Sequence, residues 1–117
     1  MYTVYGIPNC DTVKKALTWL DTHQIPYGFH NYKKQGITAA RLKNWSSQVG
    51  WETLLNKRGT TWRKLDSEVQ ASITSEKAAI KLLLENTSAI KRPLIEKGDQ
   101  VIAIGFEEGT FAKVFKK

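Results

Sequence analysis

Apolar positions along the chain alternate between two periods. Residues 2–5, Tyr-Thr-Val-Tyr, are a short run of aromatic and β-branched side chains, which predicts a buried strand. Gly6 and Pro8 break it. Val13, Ala16, Leu17 and Leu20 then recur at helical spacing and predict a helix over 11–23, with Asn9 as its cap and Cys10 in its first turn. Ile25-Pro26 closes the turn that follows, and large residues alternate over 27–32 as a second strand. Residues 33–36 read as a polar loop.

The helical period returns at Leu42, Trp45 and Val49, behind a Thr38 cap and before Gly50. Residues 51–56 predict one short helical turn, 57–64 a basic loop, and 66–71 a short helix opened by Asp66. Ala79, Leu82 and Leu83 mark one face of a helix over 76–86. Residues 90–96 predict a third strand, 97–100 a hairpin and 101–104 a fourth strand, which Gly105 ends. Phe111, Val114 and Phe115 form the stripe of a last helix, and Lys113, Lys116 and Lys117 suit its negative end.

The order is β-α-β, a helical insertion over about 38–86, then β-β-α. The first β-α-β is expected to be parallel with a right-handed crossover, and the second half supplies an antiparallel hairpin. The class predicted is α/β: a thioredoxin-like fold with an α-helical insertion and a mixed four-stranded sheet. A single domain over 1–117 is expected, because domains commonly run ~100–150 residues and no linker or repeat divides the chain.

Composition narrows the setting. With 41% hydrophobic residues and no apolar run near the ~18 residues of a membrane span, the chain reads as a soluble globule. One cysteine excludes an internal disulfide, and the chain enters strand pattern at once without a signal-peptide pattern. A reducing cytoplasm is expected. The net charge of +7 suits nucleic acid, an anionic small substrate or an acidic partner, and does not choose among them.

Cys10 is the leading candidate for chemistry. A lone cysteine also suits the role of a small buried hydrophobe, but a strand–loop–helix junction is where ligands approach an α/β domain. Exposed N–H groups and the positive end of a helix dipole favour the thiolate, which is the reactive form. Lys14 and Lys15 lie one turn further along and favour it too, whereas Asp11 opposes it. Position 13 is Val, so no Cys-x-x-Cys is present and any turnover must borrow an external thiol.

Arg92-Pro93 is the second feature. Proline is tolerated at a strand's first position; the sharper reading is a cis-Pro turn beside the thiol, with the forked donors of Arg92 aimed at an anion. Lys57, Arg58, Arg63 and Lys64, near Trp51 and Trp62, are the third. They read equally as a solvated loop anchored by tryptophans, an oxyanion clamp or a nucleic-acid patch, although no nucleic-acid module accompanies them. His23 and His30 lack the spacing of a metal site, so no metal is expected.

Three segments together carry a resemblance: Tyr5-Gly6-Ile7-Pro8-Asn9-Cys10 with Thr12 and Lys14-Lys15-Ala16; Leu54-Leu55-Asn56-Lys57-Arg58-Gly59; and Ile90-Lys91-Arg92-Pro93-Leu94-Ile95. In this order they span nearly the whole chain and resemble the arsenate-reductase-like family, above all its YffB branch. Glutaredoxin-coupled arsenate reductases and Spx-type transcriptional regulators are relatives. The resemblance implies a glutathione-dependent thiol oxidoreductase with no bound cofactor and glutathione as co-substrate. Cys10 is then the nucleophile, Arg92 the holder of an oxyanion or of the glutathione carboxylate, and Lys14, Arg58 and Pro93 substrate contacts. Implied partners are glutathione or glutaredoxin and an anionic or thiol substrate. The alternative is an Spx-like regulator that binds RNA polymerase without turnover.

The chain also departs from the arsenate-reducing members. Gly6 stands where they carry His, Lys14 where they carry Arg, and residues 104–108 supply no further Arg but two acids, Glu107 and Glu108. Acids beside an anion site repel arsenate, so a thiol reductase acting on another substrate is expected.

Overall fold

The computed structural model describes residues 2–116. Four strands form one sheet: β1 (Tyr2–Gly6), β2 (Tyr27–Asn31), β3 (Leu94–Lys97) and β4 (Gln100–Ile104), in the order β2-β1-β3-β4. β1 runs parallel to β2, with Val4 opposite Phe29, and antiparallel to β3, with Val4 opposite Ile95. β3 and β4 form the antiparallel hairpin, with a register shift at Ile95/Glu96. This is the mixed, thioredoxin-like sheet expected of the chain.

Between and after the strands lie α1 (Asp11–Thr22), α2 (Tyr32–Gln35), α3 (Ala39–Val49), α4 (Trp51–Leu54), α5 (Thr60–Arg63), α6 (Ser67–Ser72), α7 (Glu76–Glu85) and α8 (Glu108–Phe115). The backbone sorts into two compact units. One is Gly36–Lys91, wholly helical apart from a single bridge between Leu55 and Ile90; the other is the chain on either side of it.

In the sheet unit, residues alternate between faces, as strand geometry requires. Val4 and Ile95 face a core shared with Ala16, Trp19 and Leu20 of α1 and Phe111 and Phe115 of α8. The Trp19 and Phe111 rings meet edge to face with centroids 5.4 Å apart. Truncating such a buried aromatic costs about 3–5 kcal/mol. Trp19, rather than Leu17, completes the buried stripe of α1, and Leu17 packs at its margin. On the opposite face Tyr5 lies beside His30, ring centroids 4.8 Å apart, and donates its hydroxyl proton to Glu96 Oε1 at 3.0 Å. That bond keeps the buried carboxylate satisfied.

In the helical unit, Thr38 caps α3 by accepting from the Arg41 N–H at 3.2 Å, and Ser75 caps α7 by accepting from the Ala78 N–H at 3.3 Å. Leu42 and Trp45 are buried, as the stripe predicts. Ser46, buried on that face, donates to Glu76 Oε2 at 2.8 Å, which ties α3 to α7. Gly50 ends α3 at φ +86°, a conformation that side chains disfavour.

Four boundaries differ from expectation. Cys10, not Asn9, is the N-cap of α1, so the thiol precedes the first helical residue. Tyr32 does not end β2 but opens the short helix α2 where a loop was expected. Residues 60–63 of the expected basic loop are helical, as α5. β3 starts at Leu94 rather than near 90, because the Arg92-Pro93 bond interrupts the extended run and Pro has no N–H for the ladder. Lys116, past the last turn of α8, adopts a left-handed conformation, and the expectation for Lys117 falls outside the described residues.

Candidate functional site

The site is built where β1 hands over to α1. Ile7 is buried and anchors the loop, while Pro8 and Asn9 are exposed. The Cys10 N–H returns to the Ile7 carbonyl at 3.3 Å, and the Cys10 carbonyl accepts the Lys14 N–H at 2.9 Å, the first bond of the helix. Extended backbone angles, φ −105° and ψ 125°, place Cys10 at the cap. Its side chain makes no ordinary cap hydrogen bond, yet the amide groups of the first turn still act on its charge.

Burial alone pushes the Cys10 thiol up, and it is the largest single influence. The Val13 N–H, a hydrogen bond from Arg92, the Arg92 charge and the Thr12 N–H oppose it and together hold the thiol below its ordinary value. Cys10 is half-buried. A half-exposed thiol whose pKa is held down is open to a partner and favours the reactive thiolate.

Arg92 comes from the other end of the sheet unit, immediately before β3. The Arg92-Pro93 peptide bond is cis. Pro93 is buried, and its carbonyl accepts the Gly105 N–H at 2.7 Å, which pins the start of β3 to the end of β4. The Arg92 guanidinium favours the Cys10 thiolate and opposes the rise of the Tyr32 hydroxyl.

Tyr32 is the residue that sequence reasoning missed. It is 1% exposed and is the buried residue of α2. Asn31 holds this short helix in place. Its Oδ1 accepts the Lys33 and Lys34 N–H groups at 3.1 and 3.3 Å, and its own N–H donates to Gln35 Oε1 at 3.1 Å. The reciprocal pair resembles a capping box. An Asn followed at short range by Gln was the available signal, but the alternation through Tyr32 read as strand. Burial raises the Tyr32 hydroxyl to about 12, with Arg92 working against that rise.

Cys10 is thus influenced by Arg92, and Tyr32 by both Arg92 and Cys10. Lys14 is exposed on α1, one turn beyond the thiol. Arg58 is exposed in the helical unit, in the turn between α4 and α5. Lys57 sits with Nζ 5.6 Å from the Trp62 ring centroid, a cation–π contact that accounts for part of the basic, aromatic loop. His23 stacks on Trp19 with centroids 3.9 Å apart, and His30 lies against Tyr5, so both serve packing. Among the described residues, no group of His, Cys, Asp and Glu is arranged to hold a metal ion.

Glu107 is the N-cap of α8. Its carboxylate accepts the Gly109 N–H at 3.1 Å and both the N–H and the hydroxyl of Thr110 at 2.6 Å. The Thr110 hydroxyl first, then the two amides, hold its pKa below the ordinary carboxylate value. No described helix is long and apolar enough to cross a membrane.

Known proteins bear the same pattern. An uncharacterised protein of Haemophilus influenzae is 45% identical over 115 residues, covering 98% of this chain and 99% of its own length. A solved structure of a protein called YffB is 46% identical, covers 97% of this chain and 98% of its own, and superposes with a TM-score of 0.90. A global transcriptional regulator Spx of Streptococcus pneumoniae is 28% identical over 110 residues, covering 92% of this chain and 80% of its own length. Residues 5–114 match the ArsC family. With a family match over residues 5–114 and a relative 45% identical over nearly its whole length, the chain belongs to the ArsC family.

Proposed function

We propose that this protein is a glutathione-dependent thiol oxidoreductase that works through a single cysteine. The observation that carries this reading is the approach of Arg92 to Cys10 at the head of α1, which favours the thiolate. The Cys10 thiolate attacks one sulfur of a disulfide substrate, forms a mixed disulfide with it and expels the other sulfur as a thiolate. Arg92 and the helix amides stabilise negative charge at that point. A glutathione thiolate then attacks the mixed disulfide, releases Cys10 as a thiolate and leaves in a disulfide with the bound group. A second glutathione thiolate attacks that disulfide, frees the bound group as a thiolate and leaves as oxidised glutathione, so two glutathiones supply the two electrons and no resident cofactor is required. Lys14, beyond the thiol, attracts an anionic substrate. Such a cycle suits a reducing compartment like the cytoplasm, where glutathione or glutaredoxin is at hand.

The test is incubation with oxidised glutathione followed by intact-mass measurement. One glutathione moiety on the wild type and none on Cys10→Ser is the expected result. No adduct, with a thiol pKa near the ordinary value, would sink the reading.

The match to Spx favours a second reading, a regulator that binds RNA polymerase without turnover. Binding of purified polymerase subunits by Cys10→Ser, together with failure of the wild type to form the adduct, would favour it.

A further inference from the structure

We propose that the cleft between α1 and the start of α8 is the specificity subsite for Cys10, and that it seats the aromatic, anionic half of a disulfide. The proposal rests on the oxidoreductase reading in taking a disulfide as the vehicle; the binding of the anion itself does not. The cleft has a volume of about 450 Å³, within the range of ~300–1,000 Å³ usual for small-molecule sites. One wall is the stripe of α1 that runs from Lys14 and Lys15 through Thr18 to His23, and the other is Phe106 and Glu108. The cleft opens one helical turn past the thiol. The Lys14 N–H donates to the Cys10 carbonyl at 2.9 Å, and one turn rises about 5.4 Å.

The rings of the cleft are held from beneath. His23 stacks on Trp19 with centroids 3.9 Å apart, and its Nδ1 lies 2.9 Å from the Trp19 carbonyl oxygen. A carbonyl only accepts, so Nδ1–H is the donor and the bond locks the imidazole on the indole. Phe106 meets Phe111 edge to face at 4.8 Å, and Phe111 meets Trp19 in the same way at 5.4 Å. Trp19 and Phe111 belong to the buried core, so His23 and Phe106 are both fixed before a ligand arrives. A planar ring entering the cleft gains stacked or edge-on contacts at little cost in ordering. Lys14 and Lys15 set two exposed cations on the α1 wall against one acid, Glu108, on the other. Glu107 is turned to its own helix by the Gly109 and Thr110 N–H groups. Attraction on one wall and repulsion on the other direct a carboxylate toward α1. The Cys10 thiolate then attacks the sulfur on the seated ring, forms the mixed disulfide with it and expels the other half as a thiolate.

The experiment compares the rates at which Cys10 reacts with dithiobis(nitrobenzoate), an aromatic anion, dithiodipropionate, an aliphatic anion, and dithiodipyridine, which is aromatic and neutral. Each variant's rate is divided by the wild-type rate with the same disulfide, which cancels intrinsic reactivity, and the neutral probe registers any change in the thiol itself. Relative to that probe, Lys15→Gln is expected to slow the aromatic anion about three-fold at low salt, and Glu108→Gln to hasten it by a similar factor. Thr18→Phe, an exposed helix position that fills the cleft, should slow both aromatic disulfides about five-fold more than the aliphatic one. Equal effects of the charge variants on anionic and neutral probes overturn the proposal, and so does a Thr18→Phe effect equal on all three. Binding is read without the thiol in Cys10→Ser. Nitrobenzoate should shift the amide resonances of Thr18 and His23 more than the neutral isostere nitrobenzamide does, and Lys15→Gln should weaken that binding. Absence of the shifts, or equal shifts with nitrobenzamide, overturns the cleft. Intact shifts with no reaction of any disulfide would support the cleft and count against the oxidoreductase reading alone.

Discussion

A β-carbon on Gly6 would stand 2.9 Å from Val13 Cγ2, closer than side-chain carbons approach. Gly6 is the last residue of β1 and Val13 is wholly buried in the first turn of α1, so the two fix how the strand meets the helix. The Val13 amide is also one of the groups that lower the Cys10 thiol. Glycine is needed here for space. Gly6→Ala is expected to cost about 1–3 kcal/mol, as overpacking does, and to raise the thiol midpoint. Thermal melts and the pH profile of Cys10 alkylation by iodoacetamide check both. A melt and midpoint like the wild type would show that Val13 yields freely.

The lowered thiol makes stability depend on pH. A group whose folded pKa is depressed contributes stability that is complete above its ordinary value, 9.0 for Cys10, and is lost as pH falls through the folded value. The stability of the wild type relative to Cys10→Ser should therefore rise as pH climbs through the folded value, up to about 9.0, and then level off. Urea unfolding at a series of pH values measures it. In the Arg92→Ala background the rise should begin at higher pH and be smaller.

Glu107 gives the opposite end of the pH scale. Its depressed carboxyl contributes stability above the ordinary value of 4.5 and loses it as pH falls through the folded value. Glu107→Ala should lower the melting temperature at neutral pH by removing the cap of α8, and the difference should close in acid. A gap that persists below the folded value would assign Glu107 another role.

The sheet was legible in sequence because Val4, Phe29, Ile95 and Ala103 keep the strand period, and α1, α3 and α7 because their stripes repeat over two or more turns. Cys10 was legible as a junction residue, but its capping position was not. Asn9 is the better capping residue by chemistry, and the loop fixed by Ile7 decided otherwise. The Arg92–Cys10 approach was expected from the Arg-Pro turn and the family resemblance. Tyr32 was not expected: it sits between a strand and a four-residue turn, where neither period holds long enough to register. Arg92, which acts on it, lies beyond the whole of Gly36–Lys91, and no local pattern encodes so distant a pairing.

The single cysteine has a consequence for what the protein carries away from an encounter. Half-exposed and without a second thiol in the chain, Cys10 can form a disulfide only with another molecule. Each disulfide-linked form is thus a covalent record of its last partner. Protein isolated under acid quench would hold that partner still attached, and its mass would identify it.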